Sequence, residues 1–322
     1  MPNTHNQVTP QDIALERVLS ALLCMQRYSW EQGFAAQAFL ELGHWNLVIC
    51  AAYEAVNRQT EDGRLANIGS LRAVTDPMSM LEPLLRAWEV TGDAKLKTAL
   101  DKALEWALHT APRSDTGIVY HVEETRQLWV DSMYMLPPGL LAAGHAAEAV
   151  KQMDGYIAAL YDREACLFRH IWSDAEQRFI RPVYWGVGNG WALCGLTRLI
   201  AGLPEAQENA RARYIALARE TIEAALAHRR ADGLFGNILD DLESFMEVNF
   251  AQMLCYAIAK GVQSGYLPAP WQETAQSLRD AVYPHVSEYG LVRNVCGAPS
   301  FGSPGIAPEG QAAFLLMESC FH

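Results

Sequence analysis

Asp131 lies in Leu128-Trp129-Val130-Asp131-Ser132-Met133-Tyr134, a carboxyl group among aromatic and apolar neighbours. Desolvation disfavours the charged form, so this setting predicts a raised pKa and a general acid poised near neutral pH. Asp76, in Val74-Thr75-Asp76-Pro77, opens an apolar run in the same way. Two carboxyl groups at matching places can divide acid and base work. Each also reads as a plain helix start, since an Asp in a first turn, or before Pro, satisfies free N–H groups. His121 and His170 close two similar loops, Gly117-Ile118-Val119-Tyr120-His121 and Cys166-Leu167-Phe168-Arg169-His170. Imidazoles at matching positions favour one shared site over two separate structural roles. Trp30, Trp129, Trp185 and Trp191 stand at junctions between loops and apolar helices. Indole faces at a pocket mouth suit sugar rings, and core packing accounts equally well for any one of them.

Other chemistries find little support. The chain has no GxxxxGK[ST], no GxGxxG after a strand, no HExxH and no GxSxG. Gly186-Val187-Gly188-Asn189-Gly190 is rich in glycine, but it opens an apolar helix, where close packing explains the glycines better than phosphate binding. Metal ligation by Asp76, Asp131, His121 and His170 is conceivable, but no short ligand spacing supports it.

The elements that must position these residues come from a repeat. A loop rich in Gly, Asp, His and Trp precedes an apolar helix six times, starting at Trp30, Asp76, Trp129, Trp185, Glu243 and Pro308. The helices are apolar nearly all round, as in Phe34-Ala35-Ala36-Gln37-Ala38-Phe39-Leu40, which marks them as buried on every side. More amphipathic helices alternate with them, over 11–26, 45–59, 93–109, 145–161, 205–229 and 271–283. Gly43, Gly92, Gly144, Gly202 and Gly261 supply stop signals after the inner helices. Six buried and six half-exposed helices make two concentric rings, an all-α (α/α)6 barrel, in one domain over 1–322 with a flexible tail at 1–9. Short links join the rings at one end, so the long loops gather at the other. There Gly117, Cys166, Gly233 and Gly290 each begin a short strand or turn ending in a polar residue.

Composition agrees. The 322 residues are 50% hydrophobic, ample for a core, and the net charge of -12 carries no Lys or Arg run. Nucleic acid is therefore not an expected partner. No stretch approaches about 20 apolar residues, so no membrane span is expected either. The seven Cys fit no CxxC pair and most fall in apolar runs, which predicts buried, reduced thiols. The start, Met1-Pro2-Asn3-Thr4, shows no signal-peptide pattern, and together these features point to the cytoplasm.

From about Trp30 to Glu318 the chain resembles the six-hairpin glycosidases of glycoside hydrolase families 88 and 105. Trp129-Val130-Asp131-Ser132-Met133-Tyr134-Met135 is similar to their W-[VL]-D-x-[LM]-[YF]-M, and Trp185-Gly186-Val187-Gly188-Asn189-Gly190-Trp191 to W-x-R-G-[NQ]-[GA]-W. Phe168-Arg169-His170 is similar to [FY]-x-H. The resemblance implies a hydrolase of oligosaccharides ending in a 4,5-unsaturated uronic acid, acting by hydration of the double bond. It implies that Asp131 protonates C4, that the same carboxylate or Asp76 helps water add at C5, and that His121 and His170 bind hydroxyls. Trp30, Trp129, Trp185, Asn189 and Trp191 would complete the substrate site, with no cofactor.

One position departs from the pattern. Val187 stands where the families carry Arg, a residue suited to bidentate pairing with a carboxylate. Either another base serves, with Arg72, Arg126, Arg181 and Arg293 in the pocket-side loops, or the substrate lacks that carboxylate. A second reading is therefore a repurposed barrel, with Asp131 as proton donor to a non-uronate metabolite in a lyase, isomerase or cyclase reaction. A third is a barrel kept for binding alone. The sequence leaves the oligomeric state open.

Overall fold

The computed structural model describes residues 10–26 and 28–321. The tail expected at 1–9 lies outside the described residues. Outer helices are α1 (Pro10–Met25), α3 (Trp45–Asn57), α5 (Ala94–Glu105), α8 (Ala146–Leu160), α10 (Glu208–Leu226) and α12 (Trp271–Val282). Inner segments are α2 (Ser29–Glu41), a 3-10 turn (Asp76–Met80) running into α4 (Leu81–Thr91), α6 (Ser132–Met135) with α7 (Pro137–Ala142), α9 (Gly186–Gly202), α11 (Asn249–Gln263) and α13 (Pro308–Glu318). Each inner segment packs on the next, and α13 returns to α2, so the inner ring closes. The outer helices lie against it, α1 on α13 completing the circle. This is the (α/α)6 architecture expected from the repeat.

The inner ring is tight because it is lined with small residues. A Cβ at Gly33 would fall 1.8 Å from Ser79 Oγ, and one at Gly195 would fall 2.3 Å from the Met133 carbonyl oxygen. At Gly190 it would reach Met253 Sδ at 2.7 Å, so the glycines of α9 serve helix contact, as the sequence suggested. Two details differ from expectation. Pro137 breaks the third inner helix into α6 and α7, because proline offers no N–H to continue the ladder. Gly261 is not a stop: α11 continues to Gln263, and Gly261 is there to admit Leu267, whose Cδ1 would lie 2.5 Å from a Cβ. Gly265, with φ +75°, makes the turn instead. Gly43, Gly92 and Gly144 do take left-handed φ, at +71°, +67° and +89°.

The pocket-side loops hold short antiparallel pairs. β1 (Gln127–Trp129), β4 (Ile171–Ser173) and β5 (Arg178–Arg181) form one three-stranded sheet. Three two-stranded pairs accompany it: β2 (Tyr161–Asp162) with β3 (Leu167–Phe168), β6 (Phe235–Gly236) with β7 (Met246–Glu247), and β8 (Val295–Gly297) with β9 (Ser300–Gly305). The loop repeat has one backbone solution. Gly117, Cys166, Gly233 and Gly290 all adopt positive φ, at 84°, 53°, 84° and 80°. The polar residue closing each loop then accepts a backbone bond from the start of an inner segment. Val74 donates to the His121 carbonyl, Val130 to His170, Gly186 to Asn237 and Val248 to Asn294, all within 2.9–3.1 Å. This register ties each loop to the inner helix before it.

Among the described residues no helix is long and apolar enough to cross a membrane. The seven cysteines are free thiols. Cys194, Cys255, Cys296 and Cys320 are buried as expected; Cys24 and Cys50 are exposed and Cys166 half-buried, because their helix or turn positions face outward.

Candidate active site

The backbone register just described sets each candidate carboxyl beside an imidazole. The bond from Val74 to His121 brings Asp76 next to the His121 ring, with Oδ1 3.7 Å from Nε2. The bond from Val130 to His170, backed by the β1–β4 pairing, brings Asp131 Oδ2 to 3.3 Å from His170 Nε2. Neither carboxylate side chain caps its helix. The capping alternative for these residues therefore has no hydrogen bond behind it.

Asp76, Asp131, His121, Trp30, Trp129, Trp185, Trp191 and Val187 line one cavity of about 260 Å³ at the loop end of the barrel. Two expected site residues take other places. His170 is buried beneath the wall, stacked on Trp185 at 4.7 Å and edge-on to Trp129 at 5.5 Å, with Asp131 as its polar neighbour. Asn189, expected to bind substrate, is fully buried and spent on the backbone. Its Oδ1 accepts from Phe168 N at 2.8 Å, while Nδ2 donates to the Phe168 and Trp185 carbonyls. Gln152 and Gln311 hold the equivalent loops in the same manner, through Val119 N and Gly117 O, and Val292 N and Gly290 O. Asn189 is thus a loop clamp, one of three. The cavity also includes Cys296, Phe301 and Glu309, none of which the motifs singled out. Glu309 had a signal available, since it opens the sixth inner helix where Asp76 opens the second.

The electrostatics reverse one expectation. Burial does push Asp131 upward, but the His170 imidazole, with Nε2 3.3 Å from Oδ2, outweighs it, and the net shift is downward from the ordinary value. Sequence shows that a group is desolvated, but not which imidazole the register delivers to it. Asp76 instead lies well above the ordinary range, through burial first, then the negative charges of Asp131 and Glu309. His121 is pushed down to about 4 by burial, so its ring is neutral. Its Nδ1 meets Thr75 Oγ1 at 2.8 Å and Ser132 Oγ at 3.1 Å, and its ring stacks on Trp129 at 4.4 Å. Asp76 and Asp131 are thus pushed in opposite directions and form a coupled carboxyl pair.

No Lys or Arg is among the described residues lining the cavity. Of the four bases proposed to replace an Arg at Val187, Arg72 pairs with Glu124 on the surface, Arg126 donates to Tyr120 and Arg293 to the Pro284 carbonyl. Arg181 alone of the four touches the cavity wall, its guanidinium 5.7 Å from the centroid of the Trp185 ring. Among the described residues, no group of three His, Cys, Asp or Glu side chains is arranged to hold a metal ion.

Comparison with known proteins places this arrangement. The chain is 29% identical over 220 residues to an unsaturated rhamnogalacturonyl hydrolase of Bacillus subtilis, covering 64% of this chain and 62% of that protein. It is 29% identical over 214 residues to an unsaturated 3S-rhamnoglycuronyl hydrolase of Formosa agariphila, 59% of this chain and 56% of the other. The matches thus span about three fifths of these relatives' length. A possible member of glycoside hydrolase family 105 from Salmonella enterica superposes with a TM-score of 0.86 at 19% identity, covering 100% of this chain and 96% of that one. An unsaturated glucuronyl hydrolase specific for heparin superposes at 0.73 with 13% identity, covering 96% and 94%. At such identities these structures establish the fold, and the same helical toroid recurs in both. Residues 6–316 match the model of Glycosyl Hydrolase Family 88, and the chain belongs to that family.

Proposed function

We propose that the protein hydrolyses oligosaccharides ending in a 4,5-unsaturated uronic acid, by hydrating the double bond. The observation that carries this reading is the convergence of the Asp76 and Asp131 carboxyl groups, each beside an imidazole, on one small aromatic-walled cavity. The relatives named for unsaturated rhamnogalacturonyl and rhamnoglycuronyl substrates support it. The cavity is near the low end of the range for ligand pockets, about 300–1,000 Å³, which suits one terminal ring rather than a polymer.

A vinyl ether needs a proton at C4 and a water at C5. Burial and the charges of Asp131 and Glu309 raise Asp76, which suits it to keep its proton in a hydrogen bond to the substrate, and the proton transfer falls to Asp131 beside His170. Asp131 is the exchangeable group. An arriving uronate carboxylate adds a negative charge alongside, which raises Asp131 and lets it take up a proton. Asp131 gives that proton to C4, and positive charge develops at C5 and the ring oxygen. Water adds at C5 and returns a proton to Asp131. The resulting hemiketal opens, and the hemiacetal left at C1 breaks its bond to the aglycone oxygen, freeing the saturated sugar. Neutral Asp76 donates a hydrogen bond to the substrate, and neutral His121 meets a hydroxyl. His170 holds Asp131 in place. Arg181 supplies the rim cation for the uronate carboxylate in place of an Arg at 187.

A second reading is favoured by one specific observation: the cavity wall carries Val187 and, among the described residues, no Lys or Arg. It makes the substrate a neutral metabolite protonated by Asp131. Loss of absorbance of the unsaturated uronide, measured with a panel of lyase-generated disaccharides, separates the two. Loss with wild type and not with Asp131→Asn supports uronide hydration. A folded wild type inert across the whole panel supports the neutral metabolite.

A further inference from the structure

Glu309 belongs to no step of the mechanism above, yet it occupies the cavity wall. It is the second residue of α13 and is 3% exposed. Its Oε1 accepts a hydrogen bond from Trp30 Nε1 at 2.7 Å. Its Oε2 is buried and has no hydrogen-bond partner. The backbone of β8 leaves room for that oxygen: a Cβ at Gly297 would approach it to 3.2 Å. A carboxyl with purely structural duties would have both oxygens satisfied, because a buried polar atom left unpaired costs about 1–3 kcal/mol. An oxygen in this state on a cavity wall is a waiting contact for a ligand.

The charged state follows from what surrounds it. The ionisable groups facing Glu309 are Glu31 of α2, Glu247 at the entry to α11, Asp76 of the second inner segment and Cys296 of β8. None is a base. Burial first, then the charge of Glu31, pushes the Glu309 carboxyl up to about 7, although the Trp30 bond pulls the other way. Below that pH the group is a carboxylic acid, with one oxygen on the indole and the other free to donate. A neutral acid can hydrogen-bond a sugar hydroxyl or a carboxylate oxygen; an ionised one in this setting repels an anion.

We propose that Glu309 is a specificity-determining residue that binds the substrate ring through Oε2, and that it does so as a neutral carboxylic acid donating a hydrogen bond. The proposal rests on the unsaturated-uronide reading and adds a recognition contact to it. Anionic ligands are then admitted at acidic and neutral pH and excluded as Glu309 ionises.

The test is KM and kcat for a lyase-generated unsaturated disaccharide from pH 5 to 9, with wild type, Glu309→Gln and Glu309→Leu, folding being checked by thermal melting. Glutamine keeps an acceptor for Trp30 and places an amide donor in the cavity at every pH. Wild-type KM is expected to rise about tenfold per pH unit above about 7, as the binding-competent form is lost. Glu309→Gln holds a low KM across the range. Glu309→Leu raises KM about three- to tenfold at pH 6 with kcat nearly unchanged, the size of one neutral hydrogen bond. Two results overturn the proposal alone while turnover continues: an alkaline rise in KM that persists in Glu309→Gln, or a wild-type KM in Glu309→Leu. A folded wild type that converts no disaccharide removes the uronide reading and this contact with it.

Discussion

The two ends of the inner ring treat buried charge in opposite ways. Toward the end away from the loops, Arg198 bonds Glu82 at 2.6 Å and lies over the Tyr134 ring, and Lys260 bonds Glu41 at 2.8 Å. Tyr256 and Gln37 also donate to Glu41. Glu41, Glu82, Arg198, Tyr256 and Lys260 line a second cavity, and its acids face bases. At the loop end Asp76, Asp131 and Glu309 share a cavity with the His121 imidazole and with indoles, and with no Lys or Arg among the described residues. Charge paired with Lys or Arg braces the barrel, while carboxyl groups without such partners leave oxygens available for chemistry. Burial is common to both ends, and the partner supplied by the neighbouring helix decides which outcome follows.

The sharpest way to break this contrast is to change one acid at each end. Asp131→Asn is expected to lower kcat by about 10²–10⁴-fold, the usual worth of a general acid, with a nearly unchanged melting temperature. Normal turnover by this variant, followed by uronide absorbance, would remove Asp131 from the proton step. Glu82→Gln should do the reverse. Leaving Arg198 without its carboxylate costs about 3–5 kcal/mol in denaturant unfolding, while kcat/KM stays at the wild-type level in the folded protein. If its stability is unaltered, the far end is not a brace.

Glu247 sharpens the comparison through pH. It is fully buried behind the cavity, accepting from Phe250 N and Cys296 N, and burial pushes it up to about 7 from an ordinary 4.5. Its contribution to stability is therefore fully present below about 4.5 and is lost as pH rises through about 7. The stability of wild type relative to Glu247→Gln should fall over that window, by an amount on the order of a few kcal/mol. A pH-independent difference in unfolding free energy would show that Glu247 does not carry the shift. The smallest effect expected is at Arg181. Arg181→Gln should raise KM for a uronide roughly tenfold, the worth of about one charge-assisted hydrogen bond, without changing kcat or stability. An unchanged KM would leave the uronate carboxylate to some other group.

Much of this molecule was legible beforehand. Apolar helices alternating with amphipathic ones gave the double ring, since a helix without a polar face has to be buried. Recurrence of the same loop before each inner helix identified the chemical end, and put Asp76, Asp131, His121 and the four tryptophans in one place. Val187 could be read as the loss of a cation only against the family motif from which it departs. The rest depended on contacts between repeats. Asn189 has the composition of a binding residue, and only the packed structure shows its amide closing on Phe168, as Gln311 closes on Gly290. The charge of Asp131 was expected in the wrong direction because a linear sequence reveals apolar neighbours along the chain, not an imidazole brought 3.3 Å away by strand pairing. Glu309 went unnoticed for the same reason: its importance lies in an oxygen that nothing meets, and a missing partner exists only once the ring has closed. Periodicity is a local property, so residue order determines the helices and their rings. Protonation and hydrogen bonding depend on neighbours far apart in the chain, so tertiary structure alone decides them.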